Sequence, residues 1–303
     1  MNYGTQLGGN GQHMNILPEW ESIDPTKLKG TLFVMGVTDV GKSTFARYLY
    51  GRLRKAGRRV AYLDGDPGQG CLGPSTVMTL TTEKIVEKDL FRQQGSVRWR
   101  FVGAPTPVGH MLPMLVGSAR LIKAAQEAGM ESVIYDTTGL IDPNRGGLHL
   151  KLAKINLLRP STVFAIEREG ELEPLTRPLR LSRRLQVVRI PVSPGVKCRD
   201  LDSRRAFRAE KFAQYFSGAR PVKISWAHLA VFPTPAFRLN LLVAMEDTNG
   251  YVLGLGIIQR IMEESREVTL VTPLSSLQGV DAITLGDVIL DSQTFFDQPA
   301  SVD

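Results

Sequence analysis

The sequence predicts an α/β fold in which helices flank a mainly parallel sheet, followed by a small C-terminal β domain. Over residues 28–222, apolar segments of strand length alternate with amphipathic segments of helix length, which is the pattern of βαβ units. Over residues 223–303, segments of strand length follow one another directly. We therefore divide the chain into a partly disordered tail, residues 1–27, and two domains with these bounds.

The first βαβ unit begins with an apolar segment, residues 31–35, which predicts a buried strand. From Lys42 onwards the apolar residues recur at every fourth position, which predicts an amphipathic helix of about four turns. A second apolar segment, residues 60–63, follows this helix. A strand, a helix and a strand in this order imply a right-handed crossover and a parallel pair of strands.

The same reasoning predicts the later elements. The α/β domain continues with a helix and three strands, at residues 119–125, 132–135, 161–166 and 185–190. In the β domain the pair Asn249-Gly250 predicts a hairpin turn. The strands predicted there are residues 239–245, 251–258, 268–271 and 282–285.

Composition sets the broad class of the protein. The 303 residues include 37 Lys or Arg and 30 Asp or Glu, so the net charge is +7. Two cysteines, Cys71 and Cys198, are too few for the disulfide framework of a secreted protein. No segment approaches the roughly 20 apolar residues that a membrane helix needs. We therefore expect a cytoplasmic protein that does not bind membranes.

Positive charge is concentrated between Arg177 and Arg208. This window holds ten Lys or Arg against two Asp, and nine of the ten are Arg. Because Arg suits bidentate contact with phosphate, we expect a polyanion such as nucleic acid as a partner. A solvated surface without a partner stays open as the alternative interpretation, since a run of charge is often only that.

Residues 36–44 match the phosphate-binding P-loop pattern, G-x-x-x-x-G-K-S/T, at every position. The motif lies between a predicted strand and a predicted helix, where backbone N–H groups and the helix dipole can face phosphate. It predicts binding of a nucleoside triphosphate, with Lys42 on the β- and γ-phosphates and Ser43 on Mg²⁺. The predicted nucleotide-binding residues are Gly36, Thr38, Asp39, Val40, Gly41, Lys42, Ser43 and Thr44. ATP is expected, and GTP stays open, because no Asn-Lys-x-Asp guanine-reading segment follows a strand.

Carboxylates follow two of the predicted strands. Asp64 and Asp66 are two residues apart, so in an extended chain they point the same way and could divide two roles, holding Mg²⁺ and accepting a proton from a nucleophile. Gln69 offers a donor and acceptors to a substrate. Asp136 ends another strand, where it could hold Mg²⁺ through water. Capping of a turn by the first pair, and simple strand termination by Asp136, stay open as alternatives.

These segments together resemble the polynucleotide 5′-hydroxyl kinases of RNA processing. The resemblance rests on T-D-V-G-K-S-T in the P-loop, D-x-G-Q-G from Asp66, T-x-G from Thr137, and an Arg-rich segment before F-A-Q-Y-F-S-G. It covers residues 28–222, and the β structure that follows is similar to the family's C-terminal domain. It implies a P-loop kinase that transfers the γ-phosphate of ATP, with Mg²⁺, to the 5′-hydroxyl end of RNA or DNA.

The resemblance also implies roles for single residues. Asp66 matches the general base, and Thr137-Thr138-Gly139 matches the clasp that restrains Lys42. Arg199 and Arg204 match the lid over the transferring phosphate. The substrate-binding residues that the motifs and the resemblance indicate are Gln69, Thr106, Thr137, Gly139, Arg205 and Arg208, and the metal-binding residues are Ser43, Asp64 and Asp136.

Two departures from the family pattern affect these expectations. Leu140 stands where the eukaryotic clasp has Trp, which implies a weaker or differently built restraint of Lys42. The first strand begins near Thr31, without the large N-terminal β domain that helps to hold adenine in those members. We therefore expect base recognition elsewhere, with Trp20 stacking on the base. Trp99 could stack on a terminal base of the substrate or be an ordinary strand residue.

Two other functions stay open from the sequence. A nucleotide-switch ATPase or GTPase would use the same carboxylates to control a partner and would transfer no phosphate to an acceptor. A non-catalytic scaffold in an RNA-processing assembly would bind nucleotide without turnover. Transfer of phosphate to a 5′-hydroxyl end separates both from the kinase.

Overall fold

The computed structural model describes residues 16–83, 97–196 and 198–300 of the chain. Contacts divide the chain into two compact units, and we describe each by itself. The first unit takes the described residues within Met1–Gly65, Leu80–Leu90 and Ser118–Cys198, and the second those within Asp66–Thr79, Phe91–Gly117 and Arg199–Asp303. This division differs from the predicted bounds 28–222 and 223–303, because three segments that precede residue 223 in the chain contact the C-terminal strands. The predicted domains themselves stay a prediction.

The elements have the following bounds. The strands are β1 (Gly30–Gly36), β2 (Val60–Gly65), β3 (Val77–Thr81), β4 (Val97–Phe101), β5 (Ser132–Thr137), β6 (Thr162–Glu167), β7 (Gln186–Pro191), β8 (Arg220–Ser225), β9 (Ala230–Phe232), β10 (Leu241–Glu246), β11 (Val252–Met262), β12 (Glu267–Thr272), β13 (Ala282–Leu290) and β14 (Asp297–Pro299). The helices are α1 (Pro18–Glu21), α2 (Lys42–Lys55), α3 (Met111–Glu127), α4 (Gly147–Leu158), α5 (Glu173–Ser182) and α6 (Leu201–Tyr215). None of these helices is long and apolar enough to cross a bilayer.

Five parallel strands of the first unit are neighbours in the order β2-β5-β1-β6-β7. They are the five strands that the apolar segments predict, and the predicted α/β fold with a mainly parallel sheet is confirmed. Four of the five strands are buried almost along their whole length, which explains why they read as continuous apolar segments. The carboxyl ends of these parallel strands meet at one edge of the sheet.

Helix α2 packs on this sheet through the face that its period predicts. Phe45, Leu49 and Leu53 are all fully buried, and the ring of Phe45 lies 5.3 Å from that of Trp20 and 5.2 Å from that of Phe164 on β6. The helix ends at Lys55, two residues before Gly57, whose φ of +73° stops it. The sequence therefore predicted this helix with both of its ends.

Trp20, on α1, belongs to the core of the first unit. Its side chain is 2% exposed, and its ring packs against Phe45 and, at 5.4 Å, against Tyr48. The expectation that Trp20 stacks on a nucleotide base is wrong, because α2 covers the ring. An aromatic residue ahead of the first strand carries no sequence signal that separates these two roles.

The second unit contains an antiparallel sheet in the order β14-β13-β10-β11-β12-β8, and β9 pairs with β13 in parallel. The predicted hairpin is present: β10 and β11 pair in antiparallel fashion, and the carboxylate of Asp247 accepts from the N–H of Asn249 at 2.8 Å in the turn. Buried apolar residues form a core on each side of the sheet. The predicted C-terminal β structure is confirmed.

Trp99, on β4, lies in one of these cores. It is 1% exposed, and its ring packs edge-on against Tyr215 at 5.9 Å. The interpretation of Trp99 as an ordinary strand residue is confirmed, and stacking on a substrate base is excluded in this conformation.

Candidate functional site

The P-loop has the backbone that phosphate binding requires. It connects the end of β1, at Gly36, to the start of α2, at Lys42. Asp39 and Gly41 have φ values of +55° and +87°, so the loop turns sharply and its N–H groups point into a concave surface. A side chain at Gly36 would place its Cβ 2.6 Å from the Ile166 carbonyl oxygen, so only glycine fits there. The strand, loop and helix that the motif needs are all present.

The chain segments after β6 and β7 lie against this loop. Arg168, which follows β6, donates a hydrogen bond from Nη2 to the Asp39 carbonyl oxygen at 3.0 Å. Val196, in the segment after β7, approaches Gly41: a Cβ built on this glycine would lie 3.2 Å from Val196 Cγ2. The motifs did not predict either contact. The signal that could have found them is topological, because loops at the carboxyl ends of neighbouring parallel strands lie together.

Lys42 lies in the first turn of α2. Its side chain is 7% exposed, and its ammonium donates a hydrogen bond to the Val37 carbonyl oxygen at 2.7 Å, within the P-loop itself. Ser43 is half-buried and follows it directly, and Thr38 and Thr44 are exposed. The charged group and the hydroxyl groups of the motif are therefore gathered at the loop and at the N-terminus of the helix.

Two buried carboxylates lie side by side at the ends of β2 and β5. Asp64 and Asp136 are partners in the parallel register and are 2% and 1% exposed. The hydroxyl group of Tyr62 donates to Asp136 Oδ2 at 3.1 Å. Within the described part of the chain, no cluster of three or more His, Cys, Asp or Glu could hold a metal ion. The oxygen donors fit Mg²⁺, which proteins commonly bind through one or two carboxylates together with phosphate and water.

A buried lysine forms hydrogen bonds with the predicted clasp. Thr137 Oγ1 donates to the Val34 carbonyl oxygen at 2.8 Å. Lys151, on α4 and 1% exposed, donates from Nζ to Thr137 Oγ1 at 2.5 Å and to the Thr138 carbonyl oxygen at 2.6 Å. Burial of an ammonium group is costly unless it finds such acceptors. Sequence reasoning missed Lys151, although two lysines, Lys151 and Lys154, among the buried apolar residues of α4 were a signal for it.

Gly139 meets the P-loop backbone directly, and this contact leads to a prediction. A Cβ at Gly139 would lie 2.4 Å from Thr38 Oγ1 and 2.7 Å from both its N and Cα atoms. Since backbone cannot move aside as a side chain can, we expect Gly139→Ala to shift the P-loop and weaken nucleotide binding by about tenfold or more, as overpacking by 1–3 kcal/mol implies. The measurement is the dissociation constant of a fluorescent ATP analogue.

Gly195→Ala is the matched control, because a Cβ at this loop glycine of the same unit meets no atom within 4 Å. We expect this variant to bind the analogue as the unchanged protein does. If both alanine variants bind the analogue with the affinity of the unchanged protein, the P-loop accommodates a side chain at position 139 without loss of nucleotide binding.

In the second unit, Asp66 anchors a turn. Its Oδ1 accepts hydrogen bonds from the N–H groups of Gly68 at 3.0 Å and Gln69 at 2.9 Å. The turn-capping alternative is therefore confirmed for one carboxylate oxygen. A carboxylate has two oxygens, so this turn does not exclude the predicted role as a proton acceptor. Glycine is required at position 68, because a Cβ built there would lie 2.3 Å from the Pro105 carbonyl oxygen.

The segment with the predicted lid contacts the turn that Asp66 anchors. Gln69 Nε2 donates to the Arg204 carbonyl oxygen, and Arg199 Nη1 donates to Gln69 Oε1, each at 3.4 Å. Lys211 on α6 donates to the Gly70 carbonyl oxygen at 2.5 Å. Arg199, Arg204 and Gln69 are thus brought together within one unit. The motifs did not point to Lys211.

The other predicted substrate-binding residues of this unit make internal contacts. Arg208 forms a two-point ion pair with Asp297, at 2.9 and 3.0 Å. The guanidinium of Arg205 lies 5.8 Å from the ring centre of Phe296. Thr106 Oγ1 accepts from the Val108 N–H group at 3.3 Å in a turn. Substrate binding by these three residues stays a prediction, and it would require Arg208 to exchange its partner.

Comparison with known proteins finds a matching family and similar curated proteins. Residues 36–218 match the family model described as the P-loop of the mRNA cleavage and polyadenylation factor CLP1. A polyribonucleotide 5′-hydroxyl-kinase of Pyrococcus furiosus is 25% identical over 86% of this chain and 88% of its own length. One of Thermococcus kodakarensis is 27% identical over 88% of this chain and 90% of its own length.

A solved structure has a similar fold. The matching chain comes from the wild-type Clp1p–Pcf11p complex, with a TM-score of 0.66 and 14% identity. The match covers 87% of this chain and 75% of that chain. At this level of identity the similarity establishes the shared fold only.

Proposed function

We propose the following function from the premise that the chain belongs to the CLP1 P-loop family. The protein is a polynucleotide 5′-hydroxyl kinase, which transfers the γ-phosphate of a nucleoside triphosphate to the 5′-hydroxyl end of an RNA. One observation carries this proposal, namely a complete P-loop between β1 and α2 in a chain that matches this family. The names of the archaeal relatives, which align over most of their length, point to the same reaction.

The P-loop residues supply the binding of the triphosphate. Its N–H groups surround the phosphates, and Lys42 exchanges its hydrogen bond with Val37 for the β- and γ-phosphate oxygens. Ser43, Asp64 and Asp136 would hold Mg²⁺, which neutralises phosphate charge when bound. Arg199 and Arg204 would stabilise the charge on the phosphoryl group during transfer. The terminal 5′-hydroxyl oxygen attacks the γ-phosphorus while the bond from this phosphorus to the β–γ bridging oxygen breaks. Asp66 accepts the hydroxyl proton, and the nucleoside diphosphate leaves.

Asp66 is suited to this role by its place in the chain and by its turn. It follows Gly65, the last residue of β2, by one peptide bond. The N–H groups of Gly68 and Gln69 fix the direction of its carboxylate, as a positioned base requires.

We propose ATP as the phosphate donor and RNA as the acceptor. The chain contains no Asn-Lys-x-Asp guanine-reading segment, and Arg168, which follows β6, donates to the P-loop backbone at Asp39. The relatives are named as polyribonucleotide kinases, which favours RNA over DNA. The cytoplasm is the proposed location, and within the described residues neither Cys71 nor Cys198 forms a disulfide bond, which suits a reducing compartment.

An end-labelling assay tests the proposal. We expect the purified protein, with Mg²⁺, to move labelled γ-phosphate from ATP to an RNA oligonucleotide with a 5′-hydroxyl end. The same oligonucleotide with a 5′-phosphate serves as control and should gain no label. Hydrolysis of ATP without labelling would indicate a nucleotide switch, and tight binding of ATP without turnover would indicate a scaffold.

A further inference from the structure

Three arginines, one in the middle of α5 and two directly after it, have no partner in the described structure. Arg177 lies on the helix, and Arg183 and Arg184 follow its last residue, Ser182. All three side chains are exposed, and within residues 16–83, 97–196 and 198–300 none of them forms a hydrogen bond, an ion pair or a ring contact. We call these three residues the arginine surface.

The acidic residues nearby do not neutralise this surface. Glu173 pairs with Arg180 at 2.6 Å and with Arg189 at 2.7 Å, and Glu167 pairs with Arg189 at 2.5 Å. The hydrogen bond from Arg180 lowers the pKa of Glu173, so this carboxylate is ionised and committed to its pairs. The sequence contains no Asp or Glu between residues 174 and 198. Three positive charges therefore remain uncompensated on this helix and directly after it.

The arginine surface differs from the remainder of the basic window. Arg199, Arg204 and Arg208 belong to the second unit, where they contact Gln69 or Asp297. At the arginine surface the neighbouring apolar side chain, Leu181, is itself 75% exposed. Cations at a helix C-terminus are favoured by the dipole, which accounts for Arg in the last turn but not for an exposed leucine among them. Charge together with exposed apolar area is typical of a binding surface.

We propose that the arginine surface binds phosphates of the RNA substrate at nucleotides downstream of the reacting 5′ end. The guanidinium fork matches phosphate oxygens at two points, and Leu181 can pack on a sugar or a base. This inference rests on the proposed function and specifies it further: the enzyme binds the body of a single strand as well as its end. A substrate of a few nucleotides would be too short to gain from these contacts.

The test compares short and long substrates. In the variant R177Q/R183Q/R184Q we expect kcat/KM to fall roughly tenfold or more at low salt on a 5′-hydroxyl RNA of ~20 nucleotides, and to stay unchanged on a trinucleotide. Each phosphate contact on a single strand contributes about 0.7 to the slope of log affinity against log salt, so the slope should decrease by about 2. The control K29Q/K55Q/K123Q removes three exposed charges elsewhere in the same unit. It should leave kcat/KM unchanged on both substrates.

Three results would overturn the inference. Equal losses on both substrates would place the arginines at the reacting end or in the fold, and thermal melting of the variant separates these two causes. No loss on either substrate would show a solvated surface. Displacement of the RNA by polyglutamate from the unchanged protein, with equal affinity for polyglutamate and RNA, would indicate an acidic protein as partner.

Direct binding keeps this inference separate from the proposed function. A fluorescent RNA of the same ~20 nucleotides with a 5′-phosphate cannot accept phosphate. Its affinity therefore measures RNA binding independently of phosphate transfer. Weaker binding of this RNA by the arginine variant, but not by the lysine control, would support the inference even if the end-labelling assay failed. Equal binding by all three proteins would contradict it even if the protein is a kinase.

Discussion

Replacement of Asp66 by asparagine is expected to leave nucleotide binding intact and to slow phosphate transfer by roughly two orders of magnitude or more, the usual contribution of a general base. The geometry makes this substitution unusually informative. In the folded protein Asp66 Oδ1 accepts from the N–H groups of Gly68 and Gln69, and an asparagine oxygen can accept the same two hydrogen bonds. The turn should therefore persist while the proton acceptor is lost.

The measurements are single-turnover transfer to a 5′-hydroxyl RNA and the affinity for an ATP analogue. Asp66→Ala is the companion variant: it removes the turn as well as the base, so we expect it to lose thermal stability that Asp66→Asn retains. If Asp66→Asn transfers phosphate at the original rate, the base lies elsewhere. Asp39 of the P-loop is the next candidate to be changed in that case.

The parts of this protein that sequence predicts well are those fixed by local pattern. Four of the five parallel strands are buried almost along their whole length, so each of these four appears as an unbroken apolar segment. Helix α2 covers the sheet with one face, so its period is visible. The P-loop is a single contiguous segment whose glycines are required by its backbone, Gly41 at φ +87° and Gly36 against Ile166. In the P-loop, the sequence motif therefore directly reflects the backbone conformation.

The parts that sequence could not predict depend on contacts between distant segments. Lys151 reaches Thr137 across 14 positions, Gln69 reaches Arg204 across 135, and Arg208 reaches Asp297 across 89. No local pattern encodes such pairs. Trp20 illustrates the opposite error: the sequence analysis expects it to stack on a nucleotide base, although its ring packs against α2 and is buried. Both cases show that residue type alone does not specify what a side chain contacts.

The sequence also could not show which arginines of the basic window are paired with carboxylates and which are not. A run of arginines between Arg177 and Arg208 predicts a polyanion but not which members are available to it. The structure separates them by their partners: Arg180, Arg189 and Arg208 are bound to carboxylates, whereas the arginine surface is not. Net charge in a window therefore overstates the number of arginines that can meet a ligand.

Replacement of Lys42 by alanine is expected to have the largest effect, a loss of roughly three orders of magnitude in kcat for phosphate transfer, comparable to removal of a preorganised donor from a transition state. Lys42 is 7% exposed and its ammonium donates to the Val37 carbonyl oxygen at 2.7 Å, inside the loop that receives the triphosphate. No other residue of the motif carries a positive charge. We also expect the KM for ATP to rise, because the same charge binds the phosphates before transfer.

Lys29→Ala is the matched control, since Lys29 is exposed and directly precedes β1. This variant should transfer phosphate as the unchanged protein does. Lys42→Arg keeps the charge but places a planar fork in a narrow loop, so we expect it to bind ATP and to restore little of the transfer rate. Full activity of Lys42→Arg would mean that charge alone suffices at this position. Full activity of Lys42→Ala would mean that the lysine makes no contribution to the transition state, and the stabilising charge would then have to come from Arg199 and Arg204.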